Sequence, residues 1–518
     1  MERQKRSMLE ELEELEEHNM SFPMNLGGMP IVTASEMYRA EESAARAGVS
    51  KLELMENACQ SIVSEITSRW TPRKTLVLCG PGQNGGDGLG VACLLQQRRW
   101  IIDVVRCFPD KGFEGNAQIM SERWGGPWMD VESVRLEDYA LVVDAVFGIG
   151  LKRELEPRLS SLFEKINTLN IDVVAVDIPT GVSSDTGDVL GGSLHANLTV
   201  TFGWPKPAHF LLPGKDICGQ IIVGDIGVSE ENLTLEARTI RTNGPNLWLD
   251  KIPRIKSEAH KYHRGHSVII GGGSTNSTGA ARLAAEASLR SGSGLVTLWV
   301  PSDALSDYSS APAAILLEGR DEPPRMSDFL ADDRKNVVLI GPGCGVSEQT
   351  RILTKKILLS SKKVVLDADA LTSFSANPTI LFDLISSDTV LTPHSGEFAK
   401  LFKELIYGDK ISLTRAAAKT SGAIVIYKGN DTVIAEPGGQ AVVNFNAPTN
   451  LATAGTGDVL SGIVSGLLAQ GCSPFDASCI SVWCHSRAAT YGGQGLIADD
   501  LLQKISKVFQ ELKGYLSL

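Results

Sequence analysis

The chain reads TLVLCGPGQNGGDG from Thr75 to Gly88, a short apolar run that ends in a glycine-rich turn. An apolar segment that starts near Leu89 predicts a helix directly after the turn. Glycines at positions 80, 82 and 85 fit the GxGxxG spacing of a strand–turn–helix unit that holds a nucleotide. The stretch therefore predicts the first unit of a parallel α/β sheet.

The segments around this stretch repeat the alternation of strand and helix. Helical patterns cover residues 34–47 and about 52–70, and apolar runs predict strands at 75–79, 101–107, 141–144, 173–177 and 198–202. Short Val, Ile and Leu runs between helices are typical of parallel strands covered on both faces. We expect a doubly wound, three-layer domain at residues 29–230, after an acidic N-terminal extension at 1–28.

A second cycle of strands follows an irregular stretch, residues 231–258, that we interpret as a linker. Strand patterns recur at 267–270, 295–300, 336–340, 363–367, 390–392 and 423–427, and residues 432–435 with 441–443 predict a hairpin. An apolar helix is expected from Asp458. Residues 259–518 therefore predict a second doubly wound α/β domain, which shares no evident repeat with the first.

The composition excludes several classes of protein. The 518 residues are 43 % hydrophobic and 21 % charged, as in globular proteins, and the net charge of −12 argues against a nucleic-acid partner. The first twenty residues are too charged for a secretory signal, no apolar run suits a membrane span, and the nine cysteines include no CxxC pair. We expect a cytoplasmic protein that binds small molecules.

Polar residues within the glycine-rich turn indicate which ligands it can bind. Asn84 and Asp87 would aim an amide and a carboxylate at the place where a dehydrogenase binds pyrophosphate, and the carboxylate would repel the phosphates. Asp103 in the next strand is the possible ribose partner of a dehydrogenase. Three interpretations of the turn remain open. It could be a dehydrogenase site, a turn without a ligand, or part of a pocket for a cation or for a ligand that carries both phosphate and hydroxyl groups.

Two more predicted strands end in an aspartate. Asp144 begins DAVFGIG, residues 144–150, and Asp177 begins DIPTG, residues 177–181. Because the carboxyl ends of parallel strands share one edge, we expect both aspartates beside the turn, in a polar pocket. Either aspartate could instead cap a helix.

These motifs resemble those of the NAD(P)H-hydrate epimerases. The family's NNGGDG loop corresponds to residues 83–88, its DxxFGxG to 144–150 and its DxPSG to 177–181, and the likeness covers about 29–228. The resemblance implies a Rossmann-like fold in which Asp144 and Asp177 are catalytic. It also implies that the substrate is held by Gln83, Asn84, Gly85, Gly86, Asp87, Gly148, Ile149, Gly150, Leu151, Lys152, Arg153, Glu154 and Asp177.

The same resemblance implies a potassium ion held by Asn84, Asp144 and Thr180. One carboxylate among three oxygen side chains suits a weakly held monovalent ion better than Mg²⁺ or Ca²⁺. Gln83 stands where the family usually has asparagine, and Thr180 stands where it usually has serine. Both residues keep an oxygen at the site.

The most specific motif of the second half is NLATAGTGD, residues 450–458, at the start of the predicted apolar helix. It is not a Walker loop, because no Lys-Ser/Thr pair follows the glycine. Bare glycine N–H groups and the helix dipole favour a transferring phosphoryl group, and Asp458 could take the proton of an acceptor hydroxyl or simply cap the helix. Glycine turns at 271–273 and 341–345 are expected at the same edge.

This half resembles the ribokinase-like, ADP-dependent NAD(P)H-hydrate dehydratases over about residues 261–512, with landmarks at 367–371, 393–397 and 455–458. The resemblance implies that the hydrated cofactor is contacted by Ala280, Gly345, His394 and the catalytic Asp458. It implies that ADP is bound by Lys428, Gly429, Asn430, Asp431, Thr432 and Gly457. The sequence departs from the family at residues 276–278, where an aromatic residue is commoner, and at Thr456, where serine is common.

Together the two resemblances imply a bifunctional repair enzyme. It would epimerise the R and S hydrates of the reduced cofactors, NADHX and NADPHX, and dehydrate the S form with ADP and Mg²⁺, which leaves AMP and phosphate. We expect these small molecules as its partners, and a homo-oligomer. An ATP-dependent kinase of a small metabolite, and a first domain that binds nucleotides without catalysis, stay open as alternatives.

Overall fold

A computed structural model describes residues 26–254, 260–273, 278–320 and 325–515. Most of the predicted acidic extension, residues 1–25, lies outside this description. Backbone contacts separate two units: Met29–Arg241 with Ile406–Leu413 form the first, and Thr242–Leu405 with Thr414–Leu518 make up most of the second. They are described separately below as the first and the second domain.

The first domain contains one parallel sheet with helices between its strands. Its helices are α1 (Ala34–Arg46), α2 (Lys51–Arg69), α3 (Gln83–Gln97), α4 (Asn116–Arg123), α5 (Pro157–Thr168) and α6 (Gly214–Cys218). Its strands are β1 (Lys74–Cys79), β2 (Ile101–Arg106), β3 (Trp128–Met129), β4 (Leu141–Ala145), β5 (Asp172–Val176), β6 (Leu198–Phe202) and β7 (Gln220–Gly224). The order is β3-β2-β1-β4-β5-β6-β7.

This order confirms the Rossmann-like prediction, because the direction of winding reverses between β1 and β4. Alternate residues of β1 enter two different cores: Val77 packs in the cluster that includes α1, α2 and α3, while Leu76 and Leu78 pack in the cluster that includes α5. Burial on both faces explains the unbroken apolar runs of the central strands. The crevice at the reversal point is where ligands of this fold bind.

The glycine-rich turn differs from its prediction, since helix α3 begins at Gln83 rather than near Leu89. The turn is therefore largely the first turn of the helix. Glycine is required there because a Cβ on Gly85 would lie 1.9 Å from the carbonyl oxygen of Gly80. This contact brings the helix start directly against the end of β1.

The second domain is built on a larger sheet. Its strands are β8 (Ile240–Thr242), β9 (His266–Ile270), β10 (Leu295–Pro301), β11 (Leu316–Arg320), β12 (Val337–Ile340), β13 (Lys363–Leu366), β14 (Thr389–Leu391), β15 (Ile424–Tyr427), β16 (Val433–Ala435) and β17 (Ala441–Val443). They follow the order β11-β10-β9-β12-β13-β14-β15-β16-β17-β8. Pairing is parallel from β11 to β15 and antiparallel through β16 and β17, which confirms the predicted hairpin.

Helices cover this sheet. They are α7 (Pro245–Trp248), α8 (Thr278–Arg290), α9 (Arg325–Ala331), α10 (Glu348–Leu358), α11 (Ala368–Thr372), α12 (Thr379–Phe382), α13 (Ser395–Leu401), α14 (Lys410–Ser421), α15 (Thr456–Ala469), α16 (Pro474–Thr490) and α17 (Ala498–Tyr515). Helix α15 is buried along most of its length, as its apolar sequence predicts. Among the described helices, none has the length and apolarity needed to cross a membrane.

Candidate active sites

Asp144 lies at the end of β4, beside the reversal point of the first sheet, and its side chain is fully buried. Its carboxylate accepts hydrogen bonds from the Thr180 N–H at 2.7 Å, the Thr180 hydroxyl at 2.6 Å and the Val146 N–H at 3.3 Å. Burial raises the pKa of Asp144 to about 6, and these hydrogen bonds oppose the shift. The helix-cap alternative is wrong here, because the next helix, α5, begins only at Pro157.

Asp177 follows β5 in the left-handed backbone region, with a φ of 66°. Its Oδ1 accepts hydrogen bonds from Lys206 Nζ and the Thr201 hydroxyl, both at 2.8 Å, and the Lys206 side chain is 1 % exposed. A buried lysine paired this closely holds the carboxylate in one orientation. Asp177 is thus an ion-paired group rather than a helix cap.

Two oxygens point toward Gly148, within the predicted substrate loop 148–154. A Cβ on Gly148 would lie 2.8 Å from Asn84 Oδ1 and 3.4 Å from Asp177 Oδ2. Asp177 Oδ2 accepts no hydrogen bond from the described part of the chain, and Asn84 Nδ2 is buried without a partner there. The structure therefore brings together Asn84, Gly148 and Asp177, as predicted, and leaves polar atoms free for a ligand.

Asp87 lies just after the first turn of α3 and is buried. Burial, and then the carboxylates of Asp177 and Glu41, raise its pKa well above the usual value for an aspartate. A raised pKa favours the neutral acid, and repulsion of a diphosphate by Asp87 stays a prediction. Asp103 is corrected: it accepts a hydrogen bond from the Tyr139 hydroxyl at 2.8 Å and lies 3.6 Å from Lys74 Nζ, at the amino end of β1, so it is not a ribose partner.

The remaining predicted substrate residues take different positions. Gln83 is exposed at the start of α3, whereas Gly86 packs against Ala117 of α4. Ile149 and Leu151 are buried, and the group Lys152, Arg153 and Glu154 is exposed. Ion pairs of Lys152 and Arg153 are absent among the residues that the structure describes, so both cations are available to a phosphorylated ligand.

The second domain presents its glycine motif at the start of α15. Gly455 takes a left-handed φ of 86° and precedes the helix, so Asp458 lies in the first turn rather than at the cap. Burial, followed by the neighbouring carboxylate of Asp367, raises the pKa of Asp458 to about 7. A carboxyl group with such a pKa is suited to accept a proton near neutral pH.

Lys428 connects the predicted nucleotide residues to this helix. Its Nζ donates a hydrogen bond to Asp367 Oδ1 at 2.8 Å, and a Cβ on Gly457 would lie 3.4 Å from the same nitrogen. Because Asp367, Glu397 and Asp458 stabilise the charged amine, the pKa of Lys428 is raised although burial opposes this. The structure therefore brings Lys428, Gly457 and Asp458 together, as predicted.

Other predicted contacts of the second domain already have a structural role. The Thr432 hydroxyl donates to Gly429 O at 2.6 Å, and Asn430 Nδ2 donates to Ala447 O at 3.0 Å. Asp431 is buried beside Thr432. His394 Nδ1 accepts from the Gly396 N–H at 3.0 Å at the start of α13, so this histidine is a helix cap with an exposed ring. Its contact with a ligand stays a prediction.

Gly345 and Ala280 flank the same site. The Gly345 N–H donates to Asp369 Oδ2 at 2.8 Å, and a Cβ on Gly272 would meet Gly343 O at 1.8 Å, so the glycine turns after β9 and β12 touch. Ala280 lies in the first turn of α8, one turn before Leu283, whose side chain lies beside Gly455. A contact of Ala280 with a ligand stays a prediction.

The sequence did not identify two charged residues of the candidate sites, Lys206 and Asp367. Lys206 stands in the sequence GWPKP, residues 203–207, and its proline flanks were the signal that its backbone is fixed. Asp367 ends the strand pattern 363–367 in the same way as Asp144 and Asp177 end theirs. The argument that placed Asp144 and Asp177 together, at the carboxyl ends of parallel strands, would also have identified Asp367 in the second domain.

Two family models match the chain: one described as YjeF-related protein N-terminus, at residues 51–208, and one described as NAD(P)H-hydrate dehydratase, at residues 268–510. A protein of Dictyoglomus turgidum named bifunctional NAD(P)H-hydrate repair enzyme Nnr is 33 % identical over 93 % of this chain and 99 % of its own length. The chain belongs to the family of bifunctional NAD(P)H-hydrate repair enzymes.

Two further sequence relatives support this membership of the NAD(P)H-hydrate repair family, whereas one solved structure shows a similarity only. Proteins of the same name from Moorella thermoacetica and Escherichia coli are 32 % and 31 % identical, over 94 % and 92 % of this chain and 97 % and 93 % of their own lengths. The ADP/ATP-dependent NAD(P)H-hydrate dehydratase of Bacillus subtilis, co-crystallised with ATP and Mg²⁺, is 24 % identical, with a TM-score of 0.44 over 51 % of this chain and 95 % of its own.

In this NAD(P)H-hydrate repair family member, helix α1 precedes the residues that the first family model matches. A Cβ on Gly150 would lie 3.2 Å from the Tyr38 hydroxyl, so Tyr38 borders the loop 148–154. Burial and then the Asp177 carboxylate raise the pKa of Tyr38. No sequence motif pointed to Tyr38, because its proximity to the loop depends on the tertiary packing of α1.

Proposed function

We propose that this chain repairs hydrated nicotinamide cofactors with two active sites. The first domain, residues 29–230, interconverts the R and S forms of NADHX and NADPHX, and the second, residues 259–518, dehydrates the S form to NADH or NADPH. The observation that carries this proposal is the near full-length match to bifunctional repair enzymes, with both family models in one chain. The charged groups around Asp177 and Asp458 supply suitable chemistry.

Dehydration requires a better leaving group than hydroxide. Asp458 takes the proton of the ring hydroxyl while that oxygen attacks the β-phosphorus of ADP, so the O–P bond forms as the bond to AMP breaks. The lone pair of the ring nitrogen then expels phosphate to leave an iminium. This iminium loses a proton from the adjacent ring carbon to water, which restores the double bond and gives NAD(P)H, AMP and phosphate. The N–H groups at the start of α15 and Lys428 stabilise the phosphoryl oxygens.

The nucleotide site also fits Mg²⁺. Among the described residues no three His, Cys, Asp or Glu side chains form a metal cage, and Mg²⁺ usually binds through phosphates, waters and one or two carboxylates. Asp367 and Asp369 offer carboxylates next to Lys428 and Gly345. When bound with ADP, Mg²⁺ would neutralise charge on the phosphates.

For ADP we propose contacts with Lys428, Gly429, Asn430, Asp431, Thr432 and Gly457, and for the hydrate with Ala280, Gly345, His394 and Asp458. Most of these are backbone or helix-start positions around one cluster, Lys428, Gly457 and Asp458. Three side chains of the nucleotide set, those of Asn430, Thr432 and Lys428, already bond within the protein. The backbone N–H groups of residues 428–432 are therefore the proposed donors to phosphate.

Epimerisation requires proton transfer at the hydrated ring. We assign it to Asp177, whose free Oδ2 faces the loop 148–154, and we assign to Asp144 the ordering of the pocket through Thr180. The substrate contacts that we propose are Gln83, Asn84, Gly85, Gly86, Asp87, Asp177 and residues 148–154. Lys206 keeps Asp177 oriented, and Lys152 with Arg153 accounts for phosphate binding.

Potassium fits the donors at the first site. Asn84 Oδ1, the Thr180 hydroxyl and the Asp144 carboxylate are oxygen ligands with a single formal charge, a donor set suited to a weakly held monovalent ion. A cation held there would favour the ionised form of Asp144 against the effect of burial. We further propose a cytoplasmic homo-oligomer.

Omitting ADP tests the second activity. With S-NADHX and ADP, the full chain should restore the NADH absorbance band, and without ADP the band should stay absent. ATP in place of ADP is the matched comparison, because a preference for ATP as phosphoryl donor would favour the ATP-dependent kinase over the ADP-dependent dehydratase. Failure to form NADH with ADP would contradict the proposed dehydratase.

Replacing potassium tests the first activity. In sodium or tetramethylammonium buffer of equal ionic strength, we expect the epimerisation of R-NADHX to fall roughly tenfold, about 1.4 kcal/mol of lost stabilisation. The cause is that Asp144 would lose its counter-ion. Thermal unfolding in the three buffers controls for effects on folding. Equal epimerisation rates in all three would rule out a functional potassium site.

A further inference from the structure

Arg106 is the last residue of β2, at the carboxyl edge of the first sheet. In the parallel ladder it stands opposite Cys79, the residue directly before the glycine-rich turn, and the Cys107 N–H donates to Cys79 O at 3.0 Å. In Rossmann-like domains the end of this strand faces the adenosine half of a dinucleotide: an acidic residue there binds the ribose 2′-hydroxyl, and an arginine binds a 2′-phosphate. Asp103 lies within β2, opposite Leu76, and bonds to Tyr139, so it cannot fill the first role.

The guanidinium group of Arg106 is held by two aromatic rings. The Cζ atom of Arg106 lies 5.2 Å from the ring centre of Phe113 and 5.9 Å from the ring centre of Trp128. These two rings stack with their centres 5.8 Å apart. Nη2 donates a hydrogen bond to Lys111 O at 2.6 Å. The aromatic support fixes the plane of the fork.

The same side chain has unused donors. Its Nε is buried without a hydrogen-bond partner, and no carboxylate forms an ion pair with Arg106 within the described ranges. Nη1 donates no hydrogen bond to a described residue either and, unlike Nε, is not buried, so it is the donor that an anionic oxygen of a ligand would meet. Trp128 is 40 % exposed, so part of the indole is accessible to a base.

The segment between Arg106 and Gly115 connects this arginine to the proposed substrate site. Gln83 Nε2 donates to Glu114 O at 3.5 Å, and the Phe108 ring lies 5.4 Å from that of Phe147, next to the loop 148–154. Lys111 Nζ lies 4.9 Å from the Phe108 ring centre, which adds a second positive charge. The cationic group thus adjoins the pocket for the hydrated ring.

We infer that Arg106 binds the 2′-phosphate of NADPHX and gives the first domain a preference for NADPHX over NADHX, with Trp128 stacking on the adenine of both. This inference rests on the proposed epimerase function and extends it to the other half of the substrate. The bidentate fork of arginine matches phosphate geometry, which lysine or glutamine does not reproduce.

The test measures epimerisation of R-NADPHX and R-NADHX by the full chain and its Arg106→Gln variant. We expect kcat/KM for NADPHX to fall at least tenfold, through KM, and kcat/KM for NADHX to change less than twofold. Trp128→Ala should lower both, and NADPHX more than NADHX, because it also removes one of the rings that hold the Arg106 guanidinium. Arg98→Gln is the matched control, because Arg98 is an exposed arginine at the far end of α3.

Equal losses on the two substrates, or none, with Arg106→Gln would overturn the inference, since only the 2′-phosphate distinguishes them. Inhibition gives a second measurement: adenosine 2′,5′-bisphosphate should inhibit the unmodified chain at lower concentration than AMP, and this difference should vanish in Arg106→Gln. Inhibition by both compounds at equal concentration would also overturn it. Absence of epimerisation with either cofactor in the unmodified chain would instead contradict the proposed function.

Discussion

Asp458→Asn is expected to lower ADP-dependent dehydration by roughly 10²- to 10⁴-fold, the range for loss of a general base. The amide keeps the size of the side chain but cannot take the hydroxyl proton. It also removes a buried group whose pKa is raised to about 7, so the fold of α15 should be preserved. Single-turnover formation of NADH from S-NADHX measures the chemical step, and ADP binding by calorimetry should stay nearly unchanged.

The pH profile gives this prediction a second readout. Asp458 acts as a base only when it has lost its proton, and its pKa is about 7 in the free enzyme. The kcat/KM of dehydration should therefore fall about tenfold per pH unit below 7 and level off above it. In Asp458→Asn the residual kcat/KM should not show this fall below pH 7. Unchanged turnover, or a kcat/KM that still falls at acid pH in the variant, would mean that Asp458 is not the base.

Asp177→Asn is expected to lower epimerisation of the R hydrate by about 10²-fold or more, because it removes the carboxylate that faces the loop 148–154. It also leaves the buried Lys206 without its ion-pair partner, which costs about 3–5 kcal/mol of stability in comparable cases. Epimer separation after incubation with R-NADPHX measures the rate. Dehydration of supplied S hydrate should continue.

A double variant separates catalysis from stability. Asp177→Asn combined with Lys206→Met removes both charges, so the thermal stability lost in the single variant should largely return. Epimerisation should stay as low as in Asp177→Asn alone. If activity returned together with stability, Asp177 would be a structural residue and its assigned proton transfer would be wrong.

Much of the fold could be predicted because the central strands are buried on both faces and read as unbroken apolar runs. The runs at 198–202 and 75–79 correspond closely to β6 and β1. The outer strand β7 is only half-buried, and β11 carries exposed leucines and a charged end, so neither has a distinctive pattern. The start of α3 was misplaced because glycine signals a turn and has a poor helix propensity, whereas here close packing against Gly80 requires it.

The candidate sites could be predicted in part for a similar reason. Residues at the ends of parallel strands meet by topology, so Asp144, Asp177 and Asn84 could be placed together from the sequence alone. Their partners could not. Lys206 pairs with Asp177 across 29 residues and Lys428 with Asp367 across 61, and neither separation carries a local signal. The raised pKa of Asp87 likewise depends on burial, which the sequence of a glycine-rich segment does not reveal.

The presence of two separately folded units on one polypeptide fixes their stoichiometry. Every translated chain supplies one site for each step, so the cell cannot raise the capacity of one step by expression alone. When damage yields both epimers, the overall rate of repair is set by the slower site. The R hydrate accumulates whenever epimerisation is the slower step. Loss of function in either unit would consequently limit the rate of the whole repair. A separately expressed copy of the intact unit should restore that rate.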